Sequence, residues 1–141
     1  MALVVPAAGE VEMLERIVGN PTQTTNGDVH IHLYKNNYTP VEGSVLGDFT
    51  ELVDATDQNY ALKPLTAASW SPSSSNPTVM EYTQQTWTFL GIPDNFIPVY
   101  GYFVTADNDT TLLWAERFTD APYNIPETGG SVSITPKLEL A

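Results

Sequence analysis

Residues 97–118 read I-P-V-Y-G-Y-F-V-T-A-D-N-D-T-T-L-L-W-A-E-R-F. Val99, Gly101, Phe103 and Thr105 alternate with Tyr100, Tyr102 and Val104. Asp107-Asn108-Asp109 breaks the run, and Leu112 to Phe118 resume it. Two extended segments joined by a polar tip of residues that tolerate left-handed backbone predict an antiparallel β-hairpin. This hairpin is expected to be the centre of a β-sheet domain.

The rest of the chain supports that class. Residues 29–35, V-H-I-H-L-Y-K, alternate strictly, with Val29, Ile31 and Leu33 on one side and His30, His32 and Tyr34 on the other. Residues 60–70 are expected to form a strand kinked at Pro64, at an edge or bulge. Further strands are expected at 78–82, 84–90 and 131–140, with extended chain at 120–126 and turns at 91–95 and 128–130. Residues 71–77, S-P-S-S-S-N-P, are expected to be an exposed loop. No crossover helices of the kind a parallel sheet needs are present. The expected architecture is therefore mainly β, an antiparallel β-sandwich or jelly roll with one short N-terminal helix. It is expected to form a single domain over residues 1–141, with an apolar arm and helix at 1–20 and the β-sandwich at 21–141.

The helix is expected over residues 7–18. Val11, Leu14, Ile17 and Val18 share a face with Met13 beside them, Pro6 suits the entry, and Gly19-Asn20-Pro21 ends it. Its apolar stripe caps the sheet or docks on a neighbouring subunit, and the arm M-A-L-V-V before it is a candidate for crossing to a partner. Residues 38–54 carry Pro, Gly and Asp too often for a long regular element. They are expected to run across the surface, with a short helical turn near 48–52 and apolar anchors at Val45, Leu46, Phe49 and Leu52.

Composition bounds the function classes. The chain has 141 residues, 5 basic against 17 acidic, a net charge of −12 and no cysteine. Such a field repels phosphate, so nucleic acid and anionic membranes are disfavoured partners. Thiolate chemistry and disulfides are excluded. Residues 1–12 lack a basic n-region and a long apolar run, so synthesis in a cytoplasm without a signal peptide is expected.

No catalytic motif stands in the chain, and a non-enzymatic role is expected without cofactor or metal. His30 and His32 have the spacing of two ligands on one strand but lack further placed ligands, and read as histidines on a solvated face. Asp107-Asn108-Asp109 lacks the Gly and distal Glu of a calcium loop and reads as a turn. Trp70, Trp87, Trp114, Tyr82, Tyr100, Tyr102 and Tyr123 could form a sugar-stacking platform, although Trp87 and Trp114 are expected in the core. Glu116-Arg117 is expected to be a surface or interface pair.

Several phrases stand together along nearly the whole chain: M-A-L-V-V-P, G-E-V-E-M-L, H-L-Y-K-N-N-Y-T-P, L-G-D-F-T-E, Y-G-Y-F-V-T, L-L-W-A-E-R-F and S-I-T-P-K-L-E-L-A. The chain resembles small structural proteins of tailed bacteriophages, in which a short helix precedes strands reading approximately L-x-L-F-K-N-x-x-T-P, D-F-T-E-A-D-F and W-A-E-R-F. Here Leu52-Val53-Asp54 replaces the usual A-D-F, and the Ser/Pro stretch at 71–77 is particular to this chain. The resemblance implies a virion component, and for a compact acidic β-domain a capsid cement or decoration protein. Such a protein would sit on the capsid exterior, commonly as a homo-trimer, bound between subunits of the major capsid protein. The contacts expected for that role are Leu3, Val4 and Val5 of the arm, Met13, Leu14 and Ile17 of the helix, and Val45 and Phe49 of the excursion. The alternative is a tail, baseplate or fibre-associated module that binds host carbohydrate through exposed tyrosines.

Overall fold

The computed structural model describes residues 3–9, 28–54, 56–73 and 78–140. It is mainly β and antiparallel, as the alternating patterns require. The described strands are β1 (Val29–Tyr34), β2 (Lys63–Leu65), β3 (Ser71–Ser73), β4 (Thr78–Glu81), β5 (Gln85–Phe89), β6 (Ile97–Val99), β7 (Gly101–Ala106), β8 (Leu112–Arg117), β9 (Tyr123–Ile125), β10 (Gly130–Ile134) and β11 (Lys137–Leu140). The largest sheet has the order β2-β1-β7-β8; β10 pairs with β5, β11 with β4 and β4 with β3, and β6 with β9.

The quoted stretch holds three strands. Ile97–Val99 leaves the hairpin to pair with β9, and the hairpin proper is β7–β8, with a register shift between Val104 and Thr105. Tyr100 is the hinge: its N–H donates to the Tyr34 carbonyl, and its own carbonyl accepts from Phe118. The tip at 107–109 is a turn, and Asp109 takes a left-handed φ of 57° there.

Both faces of β7 are buried. One face, built from Ile31, Leu33, Tyr102, Val104 and Trp114, joins Trp87, Phe89, Ile97, Val99, Ile125 and Val132 in the main core. The opposite face carries a smaller aromatic cluster of Tyr34, Phe49, Phe103, Leu112 and Ala115. The histidine side of β1 therefore does not face solvent as its alternation suggests. The excursion folds back over it, and His32 is only 2% exposed. Alternation reports that two faces exist; a loop brought from elsewhere decides that both are covered.

Gly101 shows how closely that cover fits. Tyr34 packs its ring over this position, and a Cβ at Gly101 would lie 2.8 Å from the ring and 2.2 Å from the Glu116 carbonyl oxygen. Only a residue without a side chain lets the aromatic lie flat on the strand.

Other expectations shift in detail. The Pro64 strand is an edge strand as read, since Pro64 cannot donate to a ladder. The Ser/Pro stretch is not all loop, because Ser71–Ser73 pairs with β4, while residues 74–77 lie outside the described residues. The excursion's helical turn sits at Leu46–Asp48, slightly earlier than 48–52. Residues 7–9 are helical, and the remainder of the expected 7–18 helix lies outside the described residues. No described helix is long and apolar enough to cross a membrane.

Candidate functional site: the stitched excursion and the histidine cavity

The arm, the excursion and the histidine pair converge on one side of the large sheet. Val4 exchanges two hydrogen bonds with Ala115 of β8, at 3.0 and 2.9 Å, so the arm extends the sheet edge of its own chain. Leu3 and Val5 are half-buried against the main core. The Ala7 N–H reaches the Glu42 carbonyl at 3.2 Å, which ties the arm to the excursion. Met13, Leu14 and Ile17 lie outside the described residues.

The excursion has little regular structure but is held by side chains. Asn36 accepts from the Thr50 N–H at 2.7 Å and donates to the Asp48 carbonyl at 2.8 Å, closing the loop at its base. Asp48 accepts from the Val45 N–H at 2.9 Å, supplying the carboxylate that a helical first turn favours. Ser44 accepts from the Val41 N–H and bonds the Tyr38 hydroxyl, both at 2.8 Å. Farther along, the buried Asp57 carboxylate takes the Lys35 ammonium at 2.8 Å and the Val53 N–H at 2.7 Å. This stitching turns Phe49 inward, where it is buried against Tyr34, Tyr38 and Phe103. It holds Val41 and Val45 outward, at 55% and 59% exposure. Of the two excursion residues expected at an interface, Val45 is therefore displayed and Phe49 is a core residue.

Beside this loop the two histidines meet two carboxylates. His32 stacks flat on Phe103, with centroids 4.6 Å apart and planes within 1°. Its Nδ1 lies 2.7 Å from Glu51 Oε1 and its Nε2 2.9 Å from Thr105 Oγ1. Asp109 Oδ1, on the hairpin turn, lies 2.6 Å from His30 Nδ1, accepts from the Thr105 hydroxyl at 3.2 Å, and stands 3.5 Å from His32 Nε2. Glu51 Oε1 also accepts from the Tyr60 hydroxyl at 2.7 Å, and Tyr60 in turn accepts from the Leu33 N–H. Burial and the adjacent Glu51 carboxylate both raise the Tyr60 pKa, since each disfavours the phenolate.

Proton counting constrains the network. Thr105 has one hydroxyl proton. It goes either to Asp109, with the Thr105 oxygen then free to accept from His32 Nε2, or to His32, in which case Asp109 keeps only His30. The cavity next to this network has a volume of 240 Å³ and is lined by His32, Leu46, Phe49, Glu51, Leu62, Phe103 and Asp109. Among the described residues no group of three or more His, Asp or Glu side chains is placed to hold a metal ion.

The hairpin's aromatics do not form a sugar platform. Tyr102 is 3% exposed, with its hydroxyl on Glu116 at 2.8 Å, and burial raises its pKa, as the Glu116 charge also does. Tyr100 is half-buried beneath the Arg117 guanidinium. Trp87 and Trp114 are core residues, as their size and position in the alternation suggest. Glu116 and Arg117 are not a pair: successive strand residues point to opposite faces, and Arg117 reaches the Tyr38 carbonyl at 3.1 Å. Tyr123 alone of the hairpin-side tyrosines stands exposed, in an open cleft of 490 Å³ with Glu116, Phe118, Asp120, Ser131 and Ser133.

The carboxylate partners of the histidines escape sequence reading because they are 19 and 79 residues away. The D-x-D turn was the visible signal, and strand pairing alone brings it over His30. No family model matches the chain, and a search of curated proteins returns no match.

Proposed function

We propose that this chain is a non-enzymatic structural protein of a tailed-phage virion, a capsid cement protein that stabilises the shell by binding between major capsid subunits. The observation that supports it best is the stitched excursion, which spends its polar groups on internal hydrogen bonds and presents Val41 and Val45 to solvent. A loop already ordered in the free protein loses little entropy on docking, so its apolar side chains deliver more of their burial energy to the complex. The work of such a protein is association free energy: it binds the assembled shell and not its separated subunits, and thereby stabilises the shell by mass action. A net charge of −12 keeps copies soluble until they meet a complementary surface.

Copy number in purified virions tests this directly, because a cement protein is present in hundreds of copies and a tail component in a handful. A Val41→Ser/Val45→Ser double variant should keep its thermal stability to within about 0.5 kcal/mol per site and bind empty shells at least tenfold more weakly. A dilute monomer without affinity for shells would sink the proposal.

A second reading, a tail or baseplate module that binds host carbohydrate, is favoured by Tyr123 in its open, hydroxyl-lined cleft. Its marker is glycan binding that Tyr123→Ala abolishes.

A further inference from the structure

The cavity beside His32 is lined by groups that suit one particular guest. Two walls are apolar, from Leu46, Leu62, Phe49 and Phe103, and two positions are carboxylates, Glu51 and Asp109. Each carboxylate spends a single oxygen on the network: Glu51 Oε1 holds His32 and Tyr60, and Asp109 Oδ1 holds His30 and Thr105. Glu51 Oε2 and Asp109 Oδ2 have no hydrogen-bond partner among the described residues. Both carboxylates remain partly open to solvent, at 35% and 44% exposure, whereas the His32 ring between them is buried.

The described basic side chains are all engaged away from this cavity. Lys35 pairs with Asp57, Lys63 lies over the Trp87 ring, Arg117 covers Tyr100, and Lys137 pairs with Glu81. We propose that the cavity is the receptor for one arginine side chain of the partner protein. This rests on the reading of the chain as a protein that binds a protein surface.

Geometry selects arginine. Glu51 and Asp109 approach opposite nitrogens of the same imidazole, so the two carboxylates stand apart by more than the width of that ring. A point-like ammonium or a metal ion reaches one of them. A planar guanidinium carries its donors spread on a rigid fork, stacks on aromatic faces, and brings an aliphatic stem that Leu46 and Leu62 can cover. The volume of 240 Å³ falls below the roughly 300–1,000 Å³ of pockets for drug-sized ligands, and so suits a single side chain. Position agrees with partner binding: Leu46 of the cavity wall directly follows the exposed Val45, so an arginine seated here places its own backbone against the displayed loop. The protein's strong negative charge would speed encounter with a basic partner, and the Glu51 and Asp109 carboxylates of the cavity would fix its register.

The test uses the full chain and N-acetyl-arginine methylamide as the probe, followed by nuclear magnetic resonance. Saturable shifts are expected at His32, Leu46, Glu51 and Asp109 with a Kd on the order of 1 mM, the strength of a small single-anchor ligand. The uncharged citrulline analogue should give none, and the lysine analogue should bind at least fivefold more weakly. Glu51→Gln keeps an oxygen for Tyr60 and His32 but should weaken arginine binding tenfold. Should that variant fold poorly, Asp109→Asn on the exposed turn carries the same comparison. No saturable shift up to roughly 50 mM, equal shifts from citrulline, or equally tight binding of lysine would overturn the inference. Arginine binding without shell binding would defeat the cement reading alone, and shell binding without arginine binding would defeat this inference alone.

Discussion

Raising the pH should unfold this protein through three phenols. Tyr34, Tyr60 and Tyr102 are 0%, 5% and 3% exposed. Burial raises the pKa of each, and Glu51 beside Tyr60 and Glu116 beside Tyr102 raise theirs further. The sign follows from proton counting. Above about pH 10 the unfolded tyrosines lose protons that the folded ones keep, so the unfolded state binds fewer protons and stability falls as pH rises. The contribution is fully present below about pH 10. Each buried phenol then costs about 1.4 kcal/mol per pH unit, and the three together about 4 kcal/mol per pH unit. A domain stable by about 5–8 kcal/mol therefore unfolds between about pH 11 and pH 12. The assay is tyrosinate absorbance near 295 nm recorded with circular dichroism. A component of the absorbance rise should coincide with loss of the β signal, and Tyr102→Phe should lower the slope by about a third. Full tyrosine ionisation with the β signal intact, or complete unfolding below pH 10, would refute the reasoning.

Three substitutions probe the packing. Gly101→Ala forces a Cβ to within 2.2 Å of the Glu116 carbonyl oxygen and against the Tyr34 ring, and should destabilise by about 3 kcal/mol or more in chemical denaturation. Asp57→Ala leaves the Lys35 ammonium and the Val53 N–H without their buried acceptor, and should cost about 2–4 kcal/mol and increase protease cleavage within the excursion. Trp87 donates from its indole N–H to the Ala61 carbonyl at 2.8 Å, whereas the buried Trp114 Nε1 has no hydrogen-bond partner among the described residues. Trp87→Phe should therefore be costlier than Trp114→Phe by about 1 kcal/mol in denaturant melts, and equal costs would contradict these assignments.

The class of the fold and most of its strands were legible because alternation is a local property. The chain 29–35 could bury Ile31 and Leu33 together only as a strand, and Asp107 to Asp109 could only be a turn between two such runs. Pro64 likewise announced an edge, because an imide cannot donate to a ladder. Trp87 and Trp114 were legible as core from size and position.

What pairing and loop packing decide was not legible. The sequence placed His30, His32 and Tyr34 on one face but could not show that residues 38–54 return over it, because a loop stitched by Asn36, Ser44, Asp48 and Asp57 has no periodicity to read. Phe49 and Val45 stand four residues apart with the same apolar character, and only the direction of the Leu46–Asp48 turn sends one into the core and leaves the other in solvent. The sequence by itself determined an acidic, cysteine-free, antiparallel β-protein with a turn at 107–109. The tertiary structure alone brought Glu51 and Asp109 to the two ends of one buried imidazole, since a strand's neighbours in space are set by register and not by distance along the chain.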